Sequence, residues 1–305
     1  MWLLDKLKNV IQLINNIDDR LQRVQNSIGR IENRQLTSQK PKPFNDYEFQ
    51  VTSQWGEDGL IQNLISKVVI ENPIFVEFGV EKYIESNTRF LLINNNWSGL
   101  VIDGSEENIQ YIKNDPIYWQ YNIKAESAFI TKENINSLIK KNGISGDIGL
   151  LSVDIDGNDY WVWNSINIIN PRIVICEYNS LWGADFAVSI PYNSEFVRSD
   201  SHFSNLYYGA SIKAFTQLAK TKGYSLVGSN KAGNNIFFVR DDLVSDLEVV
   251  TPKNSWVQSQ FSEARDENGN LSFLPFKERL NLLSDQVLVD VNDGKSHIIR
   301  NLYDL

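Results

Sequence analysis

The chain has 305 residues, 42% hydrophobic and 11% aromatic, enough to bury a full-sized core. Its net charge of −9 repels phosphate backbones, its single cysteine forms no intramolecular disulfide, and its two histidines cannot build a multi-histidine metal centre. No run approaches the roughly 18 consecutive apolar residues of a membrane span. The opening MWLLDKLKNV carries Asp5 with no small-residue cleavage site behind it, so a secretory signal is not expected either. Cys176, inside the apolar run IVICEY, reads as a small buried hydrophobe. The expected setting is the cytoplasm, with no nucleic-acid partner.

Residues 1–35 read as a coiled-coil oligomerisation helix. Leu3, Leu7, Val10, Ile14, Ile17, Leu21, Val24, Ile28 and Ile31 follow one another at alternating spacings of four and three, an unbroken heptad pattern. With Leu7, Ile14, Leu21 and Ile28 as a positions, the d positions are Leu3, Val10, Ile17, Val24 and Ile31, and β-branched residues dominate them. That choice disfavours a parallel dimer and favours three or four strands. Leu4, Ile11 and Leu13 widen the stripe at flanking e and g positions. Each such side chain contributes about 1.5–3 kcal/mol when removed from water. Self-association through residues 3–31, as a trimer or tetramer, is therefore expected. Two other readings stand beside it: an amphipathic helix packed on its own body, and a membrane-surface helix opening Trp2-Leu3-Leu4. Its weakly basic polar face argues against the membrane reading.

A linker follows over residues 36–46, because Pro41 and Pro43 disfavour helix at and before their own positions. The body, 47–245, alternates strand-like and helix-like segments. IFVEFGV (74–80), GLVIDG (99–104), YNIKAESAFI (121–130), IGLLSVDIDG (148–157) and PRIVICEYN (171–179) read as strands. SNTRFLLINN (86–95), SEENIQYIKN (105–114) and TKENINSLIKKNG (131–143) read as helices with Ser or Thr starts. SIKAFTQLAKTKGYSLVG (211–228) reads as a helix, a stop at Gly223 and a strand, and NIFFVRDD (235–242) as its antiparallel partner at the sheet edge. The fold class is α/β: a Rossmann-like, doubly wound, mostly parallel sheet, with ligands expected outside the strand carboxyl ends. A C-terminal extension, 246–305, carries a helix after Pro275 and a strand in SDQVLVDVNDG, with no chemistry of its own and packed on the body.

Four strand ends are acidic: Glu77, Asp103, the pair Asp154 and Asp156, and Glu177. In one sheet they share a crevice, where a carboxylate costs solvation energy unless partnered. The first strand is followed by Gly79-Val80-Glu81-Lys82, one glycine and then bulk and an acid. A dinucleotide fold would offer Gly-x-Gly-x-x-Gly as a phosphate cradle. Asp103 after the second strand suits a ribose diol, of NAD or of S-adenosylmethionine (SAM), and Glu77 suits the cationic methionine end of SAM.

These segments, FVEFGV, ESNTRFLL, WSGLVIDGS, LLSVDIDGNDYWVW and ICEYN, together resemble class I SAM-dependent methyltransferases of the FkbM-like bacterial family. SQWGEDG (53–59) and the stretch 207–240 look like the same group, and the resemblance covers about residues 50 to 242. It implies a class I methyltransferase fold and SAM as cofactor. Glu77, Gly79 and Asn87 would approach the amino-acid part of SAM, with Gln54 and Glu57 as further candidates. Asp103 and Ser105 would stand at the ribose and Glu126 at the adenine edge. Where methyltransferases usually carry a second glycine, this chain has Glu81.

The acceptor side would comprise Asp154, Asp156, Asp159, Glu177 and Asn179, with two readings open. In one, Asp154 and Glu177 hold a Mg²⁺ ion that binds a sugar diol. In the other they orient acceptor and methionine amine directly, with Asp156 or His202 as general base. Many relatives of the family sit in surface-polysaccharide gene sets, so the resemblance implies O-methylation of a sugar or glycan precursor. The aromatic-rich loop 180–206 is its expected binding element. The competing readings are a nucleotide-sugar or NAD-type Rossmann enzyme and a non-catalytic methyltransferase-like scaffold.

Overall fold

The computed structural model describes residues 2–37 and 42–305, with the side chains of residues 2–4, 15, 18, 19 and 37 outside that description. Ten strands and twelve α-helices follow along these residues. The strands are β1 (Ile74–Phe78), β2 (Ser98–Asp103), β3 (Ile123–Ser127), β4 (Gly146–Val153), β5 (Ile169–Glu177), β6 (Val188–Ser189), β7 (Tyr224–Ser229), β8 (Asn235–Arg240), β9 (Val287–Asp290) and β10 (Ser296–Ile298). The helices are α1 (Trp2–Thr37), α2 (Glu57–Lys67), α3 (Arg89–Asn95), α4 (Glu106–Asn114), α5 (Ile117–Gln120), α6 (Ile135–Lys141), α7 (Asp159–Ser165), α8 (Arg198–Ser201), α9 (Ile212–Lys222), α10 (Pro252–Ser255), α11 (Phe276–Leu282) and α12 (Ile299–Tyr303). None of the described helices is long and apolar enough to cross a membrane.

The main sheet runs β3-β2-β1-β4-β5-β8-β7, with β8 antiparallel to both neighbours and the first five strands mutually parallel. This is the Rossmann-like, mostly parallel sheet expected from the sequence. Successive side chains of a strand point to opposite faces, so a sheet covered on both sides needs strands that are apolar throughout. Val76, Phe78, Leu151, Val153, Val174 and Cys176 enter one layer with α6, α7 and α9. Phe75, Val101, Leu150, Ile173 and Ile175 enter the other with α2, α3 and α4.

Local signals set several helix ends. Ser105 and Ser211 cap α4 and α9 through their hydroxyls, and Gly223 (φ 81°) ends α9 in the left-handed conformation that favours glycine. The Ser86 hydroxyl accepts the Arg89 N–H, so that helix begins three residues later than the sequence suggested. In the segment read as a linker, α1 runs to Thr37, residues 38–41, including Pro41, lie outside the described residues, and Phe44 packs edge-on against Phe237.

A third apolar cluster joins the segment after β5 to the C-terminal extension. Trp182, Val188, Ile190 and Leu206 meet Leu280, Leu283, Leu288 and Ile299, and β6 pairs with β9. The long loop and the extension thus fold together as a cap beside the carboxyl ends of β4 and β5.

Candidate functional site

Strand order reverses between β1 and β4, and the crevice opens there. The turn leaving β1 is held tightly. Gly79 (φ 69°) passes so near β4 that a Cβ would stand 1.7 Å from the Asp154 carbonyl oxygen. Two residues later Glu81 adopts φ 47°, a left-handed conformation that glycine takes at no steric cost. Its N–H donates to Asp103 Oδ2 at 2.7 Å.

Asp103, buried at the end of β2, also accepts from Ser105 N (2.8 Å) and Asn108 Nδ2 (3.0 Å), both at Oδ1. A carboxylate offers about four acceptor positions, so one remains at Oδ2. Glu77 is differently engaged. Its oxygens accept the N–H groups of Asn87 (2.8 Å) and Thr88 (3.1 Å) and the Thr88 hydroxyl, tying β1 to the start of α3. Burial pushes its carboxyl up to about 7, against the pull of the Thr88 and Asn87 hydrogen bonds.

Two cavities lie here. The smaller, about 180 Å³, is lined by Gly79, Asp103, Ala128, Phe129, Asn158 and Phe196 among others. The larger, about 480 Å³, is lined by Gln54, Glu77, Asn87, Asp154, Glu177 and a set of cap residues. Gly79 and Asp156 line both, so the two adjoin there.

Asp154, Asp156 and Glu177 each bring an oxygen within 4.8 Å of the others, a group able to hold a hard divalent cation. Burial raises the carboxyls of Asp154 and Glu177 well above the usual range, and the neighbouring acids raise them further. Glu177 Oε2 is buried without a hydrogen-bond partner. Arg198, from α8, meets this cluster from the cap: Nη1 lies 2.5 Å from Asp156 Oδ1 and Nη2 2.5 Å from Glu263 Oε2, over the ring of Tyr208 at 3.7 Å. At the mouth, Trp55 stacks on Phe261 with ring centroids 5.6 Å apart. Asp58 accepts the N–H groups of Val51, Thr52 and Ser53, which shapes the SQWGEDG turn carrying Trp55.

Several residues expected at the site lie away from the cavities or hold other contacts. Glu126 lines neither cavity and instead pairs with Lys141 at 2.6 Å; β3 ends one residue on, and Ala128 to Ile130 form the wall. Ser105 caps α4 and supports Asp103 without lining the cavity. His202 lies outside both cavities, its Nδ1 bonded to the Ser204 hydroxyl at 2.8 Å, with burial lowering its pKa. Asp159 closes its own turn by accepting from Ile155 N and Gly157 N. Asn179 ties the loop through the carbonyls of Leu206 and Tyr208. Glu57 is buried beneath the site, accepting from Asn230 and Asn235.

Sequence reasoning missed Arg198, Glu263 and Phe261. Arg198 stands four residues from the histidine that drew notice, and the C-terminal extension carried no chemical signal. Both enter the site only through the cap cluster.

No family model and no curated protein matches this sequence. Solved structures are similar in part. The N-terminal domain of EvdMO1 with S-adenosylhomocysteine (SAH) bound is 10% identical, over 69% of this chain and 95% of that one, with a TM-score of 0.42. A SAM-dependent methyltransferase from Clostridium acetobutylicum is 11% identical over 70% of this chain and 98% of that one, at 0.39. A structure described as a putative caffeoyl-CoA O-methyltransferase from Staphylococcus aureus is 15% identical over 60% and 82%, at 0.39.

Proposed function

We propose that this chain is a SAM-dependent methyltransferase acting on a hydroxyl of a sugar or surface-glycan precursor in the cytoplasm. The observation that carries the reading is that the two cavities adjoin at Gly79 and Asp156. A half with Asp103 at a strand end, Asp156 at the junction and largely apolar walls suits an adenosine. A half with clustered acids, under an aromatic cap, suits a polyhydroxylated acceptor. SAM supplies a methyl group on a sulfonium. The protein's part is to hold an acceptor oxygen in line with it and to take the proton.

In this reading Asp103 accepts from the ribose, Phe129 and Phe196 flank the adenine, and Gly79 leaves room for backbone approach. Glu77 and Asn87 hold the α3 start beside the methionine end. Asp154 and Glu177 face the acceptor, with Asp156 held by Arg198. Trp55 and Phe261 offer ring faces to a sugar.

The donor set also fits Mg²⁺, because three carboxylates converge and Glu177 Oε2 lacks a partner. Asp154 and Glu177 would hold the ion, which would supply a Lewis acid for the acceptor hydroxyls. Arg198 already neutralises Asp156, and this favours Asp154 and Glu177 as the ligands.

The test is incubation with methyl-labelled SAM and a panel of nucleotide sugars and surface-glycan oligosaccharides. The reading expects label on a sugar oxygen, lost in Asp154→Asn. Label on a nitrogen, or on none of the panel while SAM binds, would contradict the acceptor class.

A further inference from the structure

Contacts between the helix α1 and the body run from Gln25 to Leu36. Gly29 presses so closely on the body that a Cβ would stand 2.3 Å from Val51 Cγ2 and 3.2 Å from Phe90 Cζ. Gln25 Nε2 donates to the Val51 carbonyl (2.5 Å), Asn33 Nδ2 to Gln62 Oε1 (3.1 Å), and Leu36 joins the small cluster of Phe49, Val51 and Phe90. None of these four belongs to the heptad stripe. From Leu7 to Ile31 every stripe residue is between 50% and 61% exposed. The described residues from Asp5 to Leu21 are all exposed.

Packing on its own body would bury the stripe, yet the body takes another face of the helix. A 36-residue helix is about 54 Å long, and one exposing a continuous apolar stripe is marginal alone in water. We infer that further copies of this chain cover the stripe, in a parallel coiled coil of three or four helices, each carrying its body on the outer side. Charge complementarity fits that occupant. In the heptad register Lys6, Arg20 and Arg34 fall on g positions, and Asp18 and Glu32 on e positions. Parallel helices set each g column beside a neighbour's e column, so opposite signs face; antiparallel helices set like columns together. The Ile14/Ile17 and Ile28/Ile31 layers are β-branched at both a and d, the pattern that turns away from two strands. The inference stands whether or not the body transfers methyl groups.

Sedimentation equilibrium of the full chain at micromolar concentration tests it, beside the double variant Ile14→Asp, Ile17→Asp. The wild type should contain three or four chains. The variant should be monomeric, with the melting transition of the body unchanged. A monomeric or dimeric wild type overturns the inference, as does a variant that keeps the wild-type mass. A monomeric wild type that co-sediments with phosphatidylglycerol vesicles assigns the stripe to a membrane surface instead. Orientation is read from Val10→Cys, since the native Cys176 is fully buried. Mild oxidation should link chains in parallel register, and an assembly that forms no such link overturns the parallel arrangement.

Discussion

The Asp154 carbonyl oxygen lies where a Cβ on Gly79 would have to be, at 1.7 Å, so β1 and β4 meet at the crevice with no side chain between them. The residue also holds φ 69°. Gly79→Ala therefore meets both a backbone clash and a left-handed conformation. It should cost about 3 kcal/mol and lower the melting temperature by roughly 6–12 °C. Calorimetric melting decides this; an unshifted transition would mean the two strands separate more easily than their packing implies.

Glu77 gives a pH dependence with a defined sign. Its folded pKa, raised by burial to about 7, exceeds its unfolded value near 4.5. Between those values the native state binds more protons than the unfolded state, so this group makes stability fall as pH rises from about 4.5 to about 7. Urea midpoints across that window should decline in the wild type and decline less in Glu77→Gln. Parallel profiles would place the dependence on other acids.

How much of this was visible in the sequence depends on how local each signal was. IFVEF and GLLSV announced themselves as continuous apolar runs because both faces of a parallel strand are covered. Asp103, at a strand end ahead of a Ser-capped helix, was equally plain. Helix α2 went unread: Asp58 fixes its start by accepting the N–H groups of residues 51–53, an arrangement no periodicity reports. Arg198 and Glu263 are 65 positions apart and meet only because the cap folds as one cluster. Apolar patterning says that a face is buried and leaves open against what. Glu126 lies within β3, and the cavity wall begins beyond that strand's end.

The Arg198 guanidinium stands beside Asp156, next to the two acids that would hold a divalent cation in the proposed site, so its charge would repel the ion. Titration with Mg²⁺ should show binding that is lost in Asp154→Asn with Glu177→Gln. Arg198→Gln removes the guanidinium beside Asp156 and Glu263, and should tighten Mg²⁺ binding at least about threefold. A wild type that binds no Mg²⁺, or full methyl transfer in EDTA, leaves direct contact by Asp154 and Glu177 as the acceptor-side mechanism.

The cap makes a separate claim. Trp55 and Phe261 stack across the mouth from opposite ends of the chain. Trp55→Ala should raise the KM for a sugar acceptor while leaving SAH affinity within about twofold, because a lost stacking contact is worth roughly 0.5–1.5 kcal/mol. An equal loss of SAH affinity would move Trp55 to the cofactor side.

In the proposed reading the crevice beside Asp103 holds the adenosine of SAM. Isothermal titration of the full chain with SAH tests it most directly, with Asp103→Ala and NAD⁺ as comparisons. SAH should bind with a Kd in the micromolar range, weakened by about 1.5–3 kcal/mol in the variant, and NAD⁺ should give no comparable heat. Absence of SAH binding, the same affinity in Asp103→Ala, or preferential binding of NAD⁺ would contradict it.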